Sequence, residues 1–186
     1  MSPTPVLVPV KRAYYLGVEG AGAPESSAFR DAVAALYAVA FTIKMARKFA
    51  GADYAVAKLE GLWWVNLPHS DFLATPRHEW QWKLMIRIPE FITPAEVAGA
   101  ISKLAAKGKA APIDRVQRFA LTEGKCVQML HVGPYATEPV SIGRMRAFAE
   151  EHSLRSRGAH HEIYLSDPRR VAPEKLRTIL RQPVGR

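Results

Sequence analysis

Apolar and polar positions alternate at Val6, Val8 and Val10, and the run Lys11 to Gly20 continues as a strand that closes on Gly-Ala-Gly. The period then lengthens. Phe29, Val33, Leu36, Tyr37, Ala40 and Phe41 recur at helical spacing, which predicts a helix over Ala28 to Phe49. Ser26 or Ser27 can cap its first turn and Gly51 can end it. A strand is expected over Tyr54 to Val65 with Glu60 inside it, then a loop from Asn66 to Pro76, then a strand from Trp80 to Ile88 ended by Pro89. Thr93-Pro94-Ala95-Glu96 has a capping threonine, a proline at the first helical position and a glutamate three residues after the cap, so a helix should run to about Ala106. Lys107 to Pro112 reads as a linker. Val116–Leu121 and Lys125–Val132 form a hairpin, Pro139 to His152 a helix, His161 to Leu165 a strand, and Arg177 to Val184 the last strand.

This order of elements repeats. Strand, helix, strand with an embedded glutamate, loop with proline, strand ending near Arg-x-Pro: the series occurs once on each side of the linker. Leu59-Glu60-Gly61-Leu62-Trp63 parallels His161-Glu162-Ile163-Tyr164-Leu165, and Arg87-Ile88-Pro89 parallels Arg181-Gln182-Pro183. The expected fold is therefore α+β, built of duplicated β-α-β-β units about a pseudo-twofold axis. Its sheet would be mainly antiparallel, with helices on one face and a ligand groove on the other. Residues 1–186 would form a single domain of two repeats, at about 10–106 and about 113–186.

Composition narrows the partners. The chain is 48% hydrophobic, enough for a sizeable core. Its longest apolar stretch, Ala32 to Ile43, is too short to span a bilayer, and Met1 to Pro5 has neither the basic nor the apolar region of a signal peptide. No membrane association and a cytoplasmic location are expected. Cys126 stands alone in an apolar run and reads as a packing residue. The formal charge of +9 is spread along the chain in small groups such as Arg144/Arg146 and Arg177/Arg181, without a nucleic-acid-binding motif, so no specific nucleic-acid partner is expected. No cluster has metal-ligand spacing, so neither metal nor cofactor is expected.

Chemistry concentrates around His160-His161-Glu162-Ile163-Tyr164-Leu165-Ser166-Asp167-Pro168. A carboxylate in a strand-like run is either an edge residue facing water or a working group. Side-chain alternation puts Glu162 and Tyr164 on one face of their strand, Glu60, Leu62 and Trp64 on one face of theirs, and Met129 with His131, with Tyr135 just past that strand's end. Trp80 and Trp82 share a face, and Tyr37 lies on the apolar stripe of the first helix. His131 can equally serve to bridge backbone groups, and each aromatic can equally be packing. Rigid aromatic walls suit a flat polycyclic ligand.

Leu59-Glu60-Gly61-Leu62-Trp63-Trp64, the run Glu79 to Arg87, Val127 to Tyr135, and His161 to Arg170 followed by Ala172-Pro173-Glu174-Lys175-Leu176 resemble the GyrI-like small-molecule-binding proteins, in order and from Ala13 onward. That resemblance implies the duplicated fold and a site for flat, hydrophobic, often cationic compounds. It extends to a stand-alone subfamily, the cyclopropanoid cyclopropyl hydrolases, which open the cyclopropane of DNA-alkylating natural products of the yatakemycin and CC-1065 type within an aromatic cage bearing a glutamate. The implied catalytic residues are Glu162, as general base on water, and Tyr164. Tyr37, Glu60, Trp64, Trp80, Trp82, Met129, His131 and Tyr135 are the implied substrate-binding set. The alternative is a non-catalytic protein, monomer or homodimer, that sequesters such compounds.

Overall fold

A computed structural model describes residues 2–66, 72–109 and 112–186. The described strands are β1 (Val6–Val10), β2 (Ala13–Ala21), β3 (Leu59–Trp64), β4 (Gln81–Ile88), β5 (Gln117–Leu121), β6 (Gly124–Val132), β7 (Arg155–Ser156), β8 (His160–Tyr164) and β9 (Arg177–Gly185). The helices are α1 (Ser27–Phe49), α2 (Pro94–Ala105) and α3 (Glu138–Glu151). The fold is α+β and its strand pairings are antiparallel, as expected. Parts of the expected loop after Asn66 and of the linker before Pro112 lie outside the described residues. Contacts group the chain into two compact units, residues 13–59 with 65–121, and residues 1–12 with 60–64 and 122–186.

In the first of these, β2 pairs with β4 on one side and β5 on the other. The hairpin expected of Val116–Leu121 and Lys125–Val132 therefore does not form: β6 pairs instead with β1 and β9. Helix α1 starts at Ser26, whose hydroxyl accepts the Phe29 N–H at 3.2 Å. It buries Ala32, Ala35, Leu36, Val39, Ala40 and Ile43 while Phe41 is half exposed, so the buried stripe is rotated toward small residues that let the helix lie close to its neighbours. The capping box on α2 is present: Thr93 Oγ1 accepts the Glu96 N–H and the Glu96 carboxylate accepts the Thr93 N–H. The strand expected from Tyr54 begins only at Leu59. Asp53 explains the shortening. Its carboxylate accepts the Tyr54 N–H at 2.8 Å and pairs with Lys44, and the Tyr54 ring packs edge-on against Phe91 at 6.2 Å.

In the second unit the strand order is β1-β6-β9-β8-β3, with β7 added to β9. Helix α3 packs on β6, β7 and β9. Its buried positions are Glu138, Ser141, Ile142, Met145 and Ala149, a helical stripe that begins with a glutamate. Cys126 on β6 is fully buried, and burial, reinforced by the Glu123 charge, pushes its thiol up to about 11. The packing role expected for it agrees with this. No helix among the described residues is long and apolar enough to cross a membrane.

Candidate functional site

Register decides which side chains meet. On β8 and β3, Glu60 lies opposite Ile163, Gly61 opposite Glu162, Leu62 opposite His161 and Trp63 opposite His160. Residues directly opposite share a face. Gly61, Trp63, His160, Glu162 and Tyr164 therefore occupy one face of the second unit, and Glu60, Leu62, His161 and Ile163 the other. From β9 and β6, Thr178 and Leu180 join the Glu162 face with His131 and Met129. This is the face that α3 covers: the Ser141 hydroxyl meets His131 Nδ1 at 2.9 Å, and Glu138 neighbours Thr178 and Glu162.

Three expectations need correcting. The glutamates do not share an uncovered face, because the β3–β8 register pairs odd with even positions and so throws Glu60 and Glu162 to opposite sides. Glu162 lies beneath a helix rather than on the side away from it. The aromatic beside it is Trp63, not Trp64.

The Glu162 face is a chain of donors ending on a carboxylate. Trp63 Nε1 donates to the Tyr164 hydroxyl at 3.1 Å, and that hydroxyl donates to Glu162 Oε2 at 2.8 Å. Gly61 makes room for it, since a Cβ there would stand 3.0 Å from both Trp63 Nε1 and the Tyr164 hydroxyl oxygen. Glu162 is 8% exposed and its carboxyl is raised to about 7, chiefly by burial and opposed by the Tyr164 hydrogen bond. Burial and the neighbouring Glu162 charge raise the Tyr164 phenol well above its ordinary value. His160 Nε2 lies 3.7 Å from Glu162 Oε1, but burial and the His161 charge push His160 down to about 3, so it stands there as a neutral ring. Tyr135 meets Tyr164 edge-on at 6.1 Å and is raised to about 12 by burial and by Glu138, Glu162 and Asp167.

A second carboxyl belongs to this face. Glu138, the first residue of α3, is 6% exposed, and its Oε1 has no hydrogen-bond partner among the described residues. Burial first, then the Glu162 charge, raises it to about 9 against the opposing pull of the nearby Thr178 hydroxyl. The turn that carries Tyr135 and Glu138 is pinned from below by His131. Its Nδ1 meets Ser141 Oγ, and its Nε2 lies 3.3 Å from the Pro134 carbonyl oxygen and 3.4 Å from Thr137 Oγ1. With the Pro134 carbonyl as acceptor, Nε2 carries the proton and Nδ1 accepts from the serine. Gly133, at φ 138°, makes the bend into that turn in a conformation other residues rarely adopt. His131 thus acts on loop geometry, and Met129 is a buried member of the same face at 2% exposure.

Glu60 belongs to a different assembly. His161 Nε2 meets Glu60 Oε2 at 2.9 Å and His161 Nδ1 meets Glu123 Oε1 at 2.9 Å, while Arg181 Nη1 donates to Glu123 Oε2 at 2.8 Å. Burial alone would lower His161, but the two carboxylates outweigh it and raise it, and His161 and Arg181 in turn hold Glu123 below its ordinary value against burial. Arg181 also donates to Gln128, and Arg157 to the Glu123 carbonyl.

The remaining expected site residues lie elsewhere. Trp64 is half-buried on the Glu60 side by alternation. Tyr37, Trp80 and Trp82 belong to the first unit. Trp82 is 1% exposed, packs edge-on against Phe29 at 5.4 Å and lies over Gly20, where a Cβ would collide with its ring. It is a core residue rather than a ligand wall. Trp80 donates to the Thr75 carbonyl under the Arg77 guanidinium, and Tyr37 stacks on Phe41. Sequence reasoning missed Trp63, Glu138 and Thr178. A glutamate just ahead of Pro139 looks like an ordinary helix-start acid, and only the burial stripe of α3 turns it inward. Among the described residues no three His, Cys, Asp or Glu are grouped so as to hold a metal ion.

A buried, perturbed carboxyl faced by aromatic rings is the kind of site that small-molecule-binding domains carry. The model of the GyrI-like small molecule binding domain matches residues 3–184, and the chain belongs to that family. A crystal structure of an uncharacterised conserved protein from Listeria innocua is 37% identical with a TM-score of 0.91, covering 99% of this chain and 93% of that one. A hydrolase from Listeria innocua is 36% identical with a TM-score of 0.87, again covering 99% and 93%. The C-terminal domain of EcmrR, 9% identical with a TM-score of 0.63 and covering 100% and 99%, shares the fold alone. No curated protein matches.

Proposed function

We propose that this protein is a hydrolase that adds water across the strained cyclopropane of DNA-alkylating, polycyclic xenobiotics of the yatakemycin and CC-1065 class. The observation that carries the reading is the buried Glu162 carboxyl, raised to about 7 and oriented by the Tyr164 hydroxyl at 2.8 Å. A base titrating near neutrality is matched to general-base work on water. The resemblance of the motifs to that hydrolase subfamily supports it, as does the 36% identity to a protein described as a hydrolase.

In the proposed step Glu162 takes a proton from water as the water oxygen attacks the cyclopropane carbon. The ring C–C bond breaks, its electrons pass into the conjugated dienone, and a phenol results. Tyr164 orients Glu162 rather than the substrate, because its hydroxyl is already committed to the carboxylate. Trp63 fixes Tyr164, and Tyr135 offers a ring face and a phenol that stays protonated. Incubation with a cyclopropanoid alkylator, followed by mass analysis, should show the gain of one water. An unchanged substrate mass would remove the catalytic reading. The second reading is sequestration without turnover. It is favoured by one observation, the two adjacent carboxyls Glu138 and Glu162, which could together balance a ligand cation. Tight binding of aromatic cations without any change of mass would establish it.

A further inference from the structure

The proposed reaction ends with a proton on an oxygen that neither Glu162 nor Tyr164 supplies. As the cyclopropane opens, negative charge collects on the former dienone carbonyl. Tyr164 cannot meet it without releasing Glu162. Tyr135, raised to about 12, can hydrogen-bond the oxygen, but it holds its own proton more tightly than an ordinary phenol of pKa about 10 would.

Glu138 is placed for this task. It opens the buried stripe of α3, where the following positions are Ser141, Ile142, Met145 and Ala149. Its carboxyl is 6% exposed and its Oε1 is without a hydrogen-bond partner among the described residues, an unusual condition for a buried polar atom. It neighbours Thr178, which lies opposite Tyr164 in the β8–β9 register, two positions along from the Glu162–Leu180 pair and so on the same face. The turn bearing it is held by the His131 contacts to Ser141, Thr137 and the Pro134 carbonyl.

Resting on the hydrolase reading above, we propose that Glu138 is the general acid of this site: it carries a proton in the resting protein and delivers it to the carbonyl oxygen of the substrate while Glu162 takes one from the attacking water. The balance closes. One C–O bond forms at the attacked carbon, one ring C–C bond breaks, the electron pair ends on the former carbonyl oxygen, and that oxygen takes the Glu138 proton. Glu138 is then anionic and Glu162 protonated, and passage of one proton from Glu162 to Glu138 restores the starting state. Two nearby carboxyls whose environments hold them apart, near 9 and near 7, divide naturally into acid and base. An acid near 9 is also close to the pKa of about 10 of an ordinary phenol, so transfer to the forming product is nearly balanced.

The titratable groups that interact with Glu138 are Glu162 and Tyr164 on β8 and Tyr135 in the preceding turn; beyond them, His160 lies against Glu162, Asp167 acts on Tyr135, and His131 reaches Ser141. His160 is neutral down to about 3 and the two phenols titrate above Glu138. The test is the pH profile of turnover of a CC-1065-type alkylator by wild type and Glu138→Gln. It is joined to infrared detection of a protonated carboxyl in the ligand-free protein between the two carboxyl titrations. Wild type should show an alkaline limb near 9. Glu138→Gln, which keeps shape and hydrogen-bonding capacity, should fall by roughly 10²-fold or more, lose that limb, bind the ring-opened phenol about as well as wild type, and lack the infrared band. If wild type turns over and the variant matches it, or the variant keeps the alkaline limb, or wild type shows no protonated carboxyl, Glu138 is not the acid and the hydrolase reading stands without it. If wild type shows no turnover, the hydrolase reading falls and this proposal falls with it.

Discussion

The two faces of β8 bury the same kinds of group to opposite effect. On one, His161 sits between Glu60 and Glu123, with Arg181 completing the set: two carboxylates, two cations and short contacts throughout. On the other, one residue along the chain, Glu162 and Glu138 face aromatic rings, hydroxyls and the neutral His160. Where counter-charges are supplied, His161 and Arg181 hold Glu123 below its ordinary value despite its burial. Where they are withheld, burial lifts the carboxyls toward and above neutrality and makes proton transfer available at ordinary pH. The difference is one of partners rather than of depth, since Glu60 is 6% exposed and Glu162 8%.

The sharpest way to break this contrast is Glu162→Gln. On the proposed mechanism, turnover drops by roughly 10²–10⁴-fold while the melting temperature is held or rises, because a buried carboxylate without a counter-ion is removed. Equal activity in the variant would end the assignment of Glu162 as base. His161→Ala should do the converse to the other face. It strands Glu60 and strips Glu123 of one partner, and denaturant unfolding should show a loss of about 3–5 kcal/mol. A loss under about 1 kcal/mol would mean the network is not holding β3 to β8.

Smaller effects sharpen it. Trp63→Phe removes the indole N–H that fixes Tyr164 and keeps most of the ring, so stability should fall by about 1 kcal/mol with a modest decline in turnover. No change in either would show that Tyr164 orients Glu162 unaided. The finest test is pH. Glu138 holds its proton in the folded state up to about 9 but releases it near 4.5 when unfolded, so its contribution is full at low pH and is lost as pH rises through that window. Thermal scans should show wild type falling behind Glu138→Gln as pH increases toward 9. A gap that stays constant with pH would mean Glu138 titrates alike in both states.

Much of this architecture can be read from local pattern. The capping box at Thr93, the period of α1, the stop at Pro89 and the pairing of Glu162 with Tyr164 on one strand face all follow from neighbours in the chain. Local pattern does not reach across strands. Tandem tryptophans at 63 and 64 offer one ring to each face, and only the β3–β8 register selects Trp63 for Tyr164. The same odd-to-even pairing hid the separation of Glu60 from Glu162. Trp82 looked available for a ligand because a strand tryptophan beside Gly20 gives no hint that Phe29 closes over it. Tyr54 to Lys58 has strand composition, yet Asp53 captures its first backbone N–H. Glu138 was concealed by its setting at a helix start, where acids usually face water and favour the helix dipole.

A catalyst for alkylating agents runs the risk of being alkylated. The usual casualty is a thiol, and only its ionised form attacks. Cys126 has no exposed surface and titrates near 11, so roughly one such group in ten thousand is thiolate at neutral pH. The chain's single cysteine is thereby withdrawn from the chemistry proposed on the α3-covered face of the same unit. On that reading the protein can meet a reactive electrophile again and again, ending each encounter as a catalyst rather than as a spent scavenger.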